Sequence, residues 1–277
     1  MKIRKFSIWT ILKYAVLLFF VVIMVYPLIF AVLSSFKNNL QIFDNPFGAP
    51  ESWAPTNYQL AWVQADFAVY FRNSLFLSVV SVLILCVLGT MAAYGLSRFR
   101  FKLNNLAYMV FSMGMMIPMH AALVPIAYAM GIFDLRNQYW ALIAFYVAFQ
   151  LPITIILLYG FMKGLPREVE EAAIVDGCSY FQVLIRVVVP ISVPAIATSA
   201  IFNFLQIWNN LLFPLVLIQD QSKKPLSVGL LSFFGEQSVD YGGVMAGIII
   251  SILPPLIIYI LLQEKVEKGL TAGAVKE

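Results

Sequence analysis

The chain has 277 residues, 61% of them hydrophobic and only 12% charged, with a net charge of +4. Globular domains carry about 25% charged residues, so an ordinary water-soluble surface is excluded. The small basic excess is explained by the placement of Lys and Arg around apolar segments, which leaves nucleic-acid binding without support.

Six stretches free of Asp, Glu, Lys and Arg are each long enough to cross roughly 30 Å of hydrocarbon, which takes about 20 helical residues. They predict transmembrane helices over about 14–36, 73–97, 106–130, 138–162, 190–218 and 242–263, within a single membrane domain spanning 1–277. The first follows Lys2, Arg4, Lys5 and Lys13, as a secretory signal would. Its apolar run exceeds a signal core of about 7–15 residues and no Ala-x-Ala site follows, so it reads as a retained anchor.

The next segment, 37–72, carries Pro46, Pro50, Pro55, Trp53 and Trp62. It is expected to lie along a membrane interface, where Trp and Tyr are at home. Pro118 and Pro125 in the third span, and Pro190, Pro194 and Pro214 around the fifth, predict bends. Segment 219–242 contains the apolar run Leu230–Phe234 between polar and glycine positions, which suits either a protruding loop with an apolar tip or a short re-entrant or interfacial piece. Cys86 and Cys178 lie in a span and in a loop, so no disulfide is expected.

Basic residues set the orientation. With the amino terminus inside, the inner segments hold Lys2, Arg4, Lys5, Lys13, Arg98, Arg100, Lys102, Lys163, Arg167, Arg186, Lys265, Lys268 and Lys276, and the outer ones only Lys37, Arg72, Arg136, Lys223 and Lys224. Both termini and the loop 163–190 are therefore expected on the cytoplasmic side.

That loop is acidic and tightly turned. Pro166 suits the first turn of a helix, and Glu168, Glu170 and Glu171 sit near the positive end of its dipole. Val169, Ala172 and Ala173 fall at i, i+3 and i+4, one narrow face that another surface can approach closely. Gly177 ends the helix, and Ser179 to Gln182 has the spacing of a capping box that starts the next one. The product is a small knob at the membrane face, which by composition alone either packs on the neighbouring loop or docks elsewhere.

The stretch EAAIVDGCSYFQVLIRVVVP, 171–190, resembles the EAA signature of the membrane subunits of ABC importers. Glu171, Ala172, Ala173, Asp176 and Gly177 stand at the signature positions, with Val188 and Val189 before Pro190. YFRNSL at 70–75, AAYGLSRFRF at 92–101, IWNNLLFPL at 207–215 and KGLTAGAVKE at 268–277 are similar to the second permease subunit of the carbohydrate-uptake, maltose-type branch. His120 departs from the family, which more often carries Gln there.

The resemblance implies an all-α integral membrane protein with six transmembrane helices, the type I ABC importer permease fold and both termini cytoplasmic. It implies that the helix over about 167–176 is the coupling helix of an importer that takes up a sugar or oligosaccharide across a bacterial cytoplasmic membrane. The implied partners are a second homologous permease, two ATP-binding cassette subunits, an extracytoplasmic sugar-binding protein and the lipid around it. The tail residues Gly269, Leu270, Thr271, Ala272 and Gly273 are implied to touch the ATPase pair. An ABC permease for a non-sugar solute, or an ATP-independent channel or secondary carrier, are the rival readings.

The chain has no Gly-Lys dipeptide and hence no P-loop, so it is not expected to be an enzyme. ATP and Mg²⁺ are expected on the partner ATPase, with no cofactor or metal on this chain. No carboxylate lies well inside a span, which disfavours an ion relay. In the fifth span Asn203, Gln206 and Asn210 fall on one stripe beside Trp208 and Asn209. With His120 these are candidates for lining the solute path, and interhelical bonding is the equal alternative for the amides.

Overall fold

A computed structural model describes residues 8–235 and 239–274. Lys2, Arg4, Lys5 and Lys276, used above for orientation, lie outside the described residues. Helices dominate, and among the described residues the only extended pairing is an isolated bridge between Phe234 and Val239. Five unbroken helical runs are long and apolar enough to cross a membrane, and a bent pair supplies a sixth. We label α1 Ile8–Ser34, α2 Phe67–Arg98, α3 Asn104–Gly114, α4 Leu123–Ile132, α5 Tyr139–Lys163, α6 Glu168–Val175, α7 Tyr180–Trp208, α8 Leu212–Leu217 and α9 Tyr241–Ala274.

Two compact units make up the chain. One holds the chain to Ala68 with Gly229–Ile252, and the other holds Val69–Val228 with the chain from Leu253. In the first unit α1 leaves nearly all its apolar side chains uncovered, as a lipid-facing helix does. The segment after it is folded rather than extended: Asn38 caps a short helix over Asn39–Asp44, and another turn runs over Thr56–Gln59. Lys37 is only 1% exposed, its Nζ donating to the carbonyl of Asn45 at 2.8 Å. Asn57 donates to the carbonyls of Ser35 and Lys37, both at 2.9 Å, which closes the segment on itself. The apolar run 230–234 divides: Phe233 packs inward on Phe67, while Leu231 and Phe234 stay exposed.

The second unit is built around α5, the most buried of its helices. Its residues Leu142, Ile143, Phe145 and Tyr146 meet Leu77 and Leu85 of α2, and Phe213 and Leu217 of α8. Phe145 and Phe213 stack with centroids 3.8 Å apart.

Two predicted spans are interrupted. The third, 106–130, breaks after Gly114 and resumes at Met119, with a bend of 83°. Pro118 sits in the break, where its ring disfavours a helical residue before it and its missing N–H cannot rejoin the ladder. Pro125, by contrast, lies in the first turn of α4, where a missing N–H costs nothing.

The fifth, 190–218, is also not one helix. It begins earlier, at Tyr180, passes through a wide π-turn over Leu184–Val188, and ends at Trp208. The π-turn lets the Val189 N–H reach the Leu184 carbonyl. It sits beside Pro190, which has no N–H to offer the carbonyl four residues back. Beyond Asn209 the chain turns into α8, where the Asn210 side chain accepts from the Phe213 N–H at 3.3 Å.

Candidate functional site: the loop between α5 and α7

The α5 helix ends at Lys163, and Gly164 caps it. Leu165 then packs against a cluster that includes Ala93 and Tyr94 of α2, Leu158 and Met162 of α5, and Val183 and Leu184 of α7. Arg167 is the N-cap of α6, so Pro166 lies just outside the helix and not in its first turn as the sequence suggested. Glu168, Glu170 and Glu171 fill that first turn, where the positive end of the dipole favours carboxylates.

Gly177 adopts φ of +86°, a left-handed conformation that costs glycine nothing. Its N–H donates to the Ile174 carbonyl, and the Cys178 N–H donates to the Ala173 carbonyl, which closes the helix end. Ser179 and Gln182 form a reciprocal capping box, so α7 starts immediately. The result is a helix, a four-residue reversal from Asp176 to Ser179 and a second helix, specified locally on both sides.

The three residues placed on one narrow face of α6 divide between inside and outside. Ala173 packs on the apolar cluster, while Val169 and Ala172 are exposed. Val175 is 87% exposed, and with Val169 and Ala172 it forms an outward apolar stripe at i, i+3 and i+6. Glu171, Asp176 and Gly177 are also exposed. Glu170 is the exception among the carboxylates, being buried with Arg98 at 2.6 Å. The same guanidinium donates to the Leu165 carbonyl at 3.3 Å.

This pair was not anticipated from the sequence. The available signal was that Glu170 shares the face of Ala173 at i+3.

The stripe on α7 does not stay together. Asn203 is fully buried and donates to Thr154 Oγ1 of α5 at 2.8 Å and to Ser199 Oγ at 3.3 Å, so its amide bonds helix to helix. Gln206 and Asn209 are exposed, and Asn210 is half-buried, its carbonyl accepting from the Ser227 hydroxyl. Trp208 is buried, stacked on Phe204 at 5.4 Å and meeting Phe71 edge-on. His120 is exposed in the short turn Met119–Ala122, within the break between α3 and α4. Replacing Asn203 with Val should therefore act as loss of an interhelical contact, about 0.6–2 kcal/mol. Thermal unfolding in detergent reads that cost, and solute affinity should not change.

Gly269, Leu270, Thr271, Ala272 and Gly273 fall on the backbone of α9, but their side chains lie outside the described ones, as do residues 275–277 altogether. Among the described residues no group of three or more His, Cys, Asp or Glu side chains could hold a metal ion. Cys86 and Cys178 are both free. The loop between α5 and α7 presents a small outward surface, apolar in its stripe and acidic at its ends.

A family model described as the binding-protein-dependent transport system inner membrane component matches residues 85–272. The diacetylchitobiose uptake system permease protein of Streptomyces coelicolor is 36% identical over 96% of this chain and 88% of its own. A probable starch degradation products transport system permease protein of Thermoanaerobacterium thermosulfurigenes is 32% identical over 91% of each chain. Among solved structures, a chain of a bacterial ABC transporter that imports the acidic polysaccharide alginate is similar in fold. It has a TM-score of 0.82 at 23% identity and covers 95% of this chain and 98% of its own.

Proposed function

This chain belongs to the family of binding-protein-dependent transport system inner membrane components, and on that premise we propose that it is a permease subunit of an ABC importer for a sugar or oligosaccharide. The observation that carries the proposal is α6. A short helix that leaves Val169, Ala172 and Val175 exposed at the end of a membrane bundle is built to fit a socket on another protein. The names of the relatives, diacetylchitobiose and starch degradation products among them, favour a carbohydrate cargo.

In this reading both termini and α6 face the cytoplasm, and α6 docks on one of two ATP-binding cassette subunits, which bind ATP and Mg²⁺. A second, homologous permease completes the membrane part, and an extracytoplasmic binding protein delivers the sugar. Glu171, Ala172, Ala173, Asp176 and Gly177 form the coupling element: Gly177 sets the reversal, Ala173 seats the helix, Ala172 belongs to the stripe, and Glu171 and Asp176 offer charges at its rim. ATP shifts the importer between two states because it favours one docking geometry of α6 over the other.

Gln206, Asn209 and Asn210, near the end of α7, remain candidates for the sugar path, with His120 beside the bend and Trp208 behind them. Amides and an indole suit sugar hydroxyls and the C–H faces of the ring. Asn203 contributes to the path only through the packing of α5 on α7. The tail over 269–273 adds a second contact with the ATPase pair.

Purification of the tagged chain from its native membrane tests the proposal. Two ATP-binding subunits and a second permease are expected to come with it, and the binding protein of the same system should bind a sugar. A binding protein selective for amino acids, peptides or phosphate would replace the cargo. A chain that purifies alone and transports with ATP exhausted would replace the mechanism by a channel or carrier.

A further inference from the structure

The Arg98–Glu170 pair is the only ion pair between distant parts of the chain among the described residues, and both side chains are largely removed from solvent, at 7% and 10% exposure. It joins the last residue of α2 to the inner face of α6. The Arg98 hold on the Leu165 carbonyl adds the turn that leads into α6, so one guanidinium grips the knob and its stem.

The rest of this end of α2 is equally constrained. Asn104 donates to the carbonyls of Leu96 and Phe99, each at 3.1 Å, which fixes the turn beyond the helix. Phe99 meets Tyr94 edge-on on one side and Tyr180, at the start of α7, on the other.

The opposite end of α2 is tied as well. Asn73 donates to the carbonyls of Ser222 at 2.8 Å and Lys224 at 3.0 Å. The Leu226 N–H donates to Ser74 Oγ at 2.7 Å, and Gln221 donates to the Tyr70 hydroxyl at 2.6 Å. Between these ends α2 is continuous and free of proline. A helix of this kind transmits axial displacement, since its hydrogen bonds resist stretching along its whole length.

We propose that α2 is a rod clamped at both ends, with Arg98 and Glu170 as the positioning residues that make α6 move with it, and Asn73 and Ser74 as those that pass the motion to the loop 221–226. The inference rests on the reading of α6 as the coupling helix. Apolar contacts such as those of Ala173 are non-directional and permit sliding, whereas a buried charged pair has one geometry and loses its compensation when that geometry is lost. The pair therefore selects which helix α6 drags.

The test uses the complete transporter in lipid, with spin labels at Leu83→Cys on α2 and Glu168→Cys on α6, in a chain whose Cys86 and Cys178 are serine. ATP with vanadate is the only ligand added. The proposal expects one narrow distance, the same with and without ATP and vanadate. Glu170→Gln should broaden the distribution and make it respond to ATP. The swap Arg98→Glu with Glu170→Arg should restore the narrow one.

A nucleotide-dependent distance with the native pair intact overturns the proposal without recourse to any variant, and so does a Glu170→Gln distribution that stays narrow and fixed. A cysteine crosslink from Ala172 to the ATP-binding subunit, made in parallel, separates the two claims. If the crosslink forms while the α2–α6 distance changes, the rod fails and the coupling helix stands. If no crosslink forms in any state, the coupling helix itself fails.

Discussion

Gly177→Asp is expected to leave the chain inserted in the membrane and to reduce ATP-driven uptake of its solute by about tenfold or more. Residue 177 holds φ of +86°, and a Cβ there brings a left-handed penalty of about 1–2 kcal/mol. Nothing lies within 4 Å of where that Cβ would be, so the cost is conformational and not a collision. The new carboxylate would also sit beside Asp176 at the negative end of the α6 dipole, which opposes it by about 0.3–1 kcal/mol. Both terms favour a different exit from α6, and the docking surface turns with it. Uptake into proteoliposomes, with membrane content checked by immunoblot, measures the effect. Gly177→Asn, which tolerates the left-handed region better, should lose less.

Gly89→Leu is expected to produce the largest loss of stability. Gly89 lies on α2 where it crosses α5, and a Cβ there would overlap Thr154 Cγ2, with Leu158 Cδ1 at 3.6 Å behind it. Thr154 cannot retreat freely, because its hydroxyl donates to the Gln150 carbonyl at 2.8 Å and accepts from Asn203. Overpacking of this kind costs about 1–3 kcal/mol or more, and should lower the thermal midpoint in detergent by roughly 3–10 °C. Gly95→Ala, six residues along the same helix, is the control. No atom lies within 4 Å of its added Cβ, so that change should be neutral or slightly stabilising.

These two glycines mark how far the sequence could be read. Gly177 was legible, because an acidic helix start, a glycine stop and the Ser179–Gln182 capping box are local signals that act within a few residues. Gly89 was not, since its role depends on Thr154, which lies 65 residues away and whose packing no local pattern encodes. The same division runs through the helices. Composition alone revealed the long apolar runs of α1, α2, α5 and α9. The break at Pro118 was foreseen as a bend, but its 83° angle depends on how α3 and α4 each pack. The separation of α8 from α7 was hidden because the chain is apolar on both sides of Asn209 and Asn210 and free of charge throughout.

At the candidate site, two polar groups take partners that lie far away in the sequence. Glu170 reads as a solvated dipole-end carboxylate, yet a guanidinium 72 positions earlier takes it inward. Asn203 stands in a polar stripe that could line a path or bond helix to helix, and its amide nitrogen bonds Thr154 of α5. In both cases a polar group inside an apolar bundle found a partner from another helix, as such groups must when water is scarce. The stripe 169, 172, 175 shows the converse. Its apolar residues face outward at the loop that resembles the EAA signature, and the proposed function gives that surface a docking use.

The measurement that bears most directly on the proposed function is a crosslink from a single cysteine at position 172, in a chain whose Cys86 and Cys178 are serine, within the transporter purified from its native membrane. The proposed function predicts a covalent product with an ATP-binding subunit whose yield changes between nucleotide-free and ATP–vanadate states. A cysteine at 172 that reacts freely with small maleimides yet yields no such product in either state would contradict it.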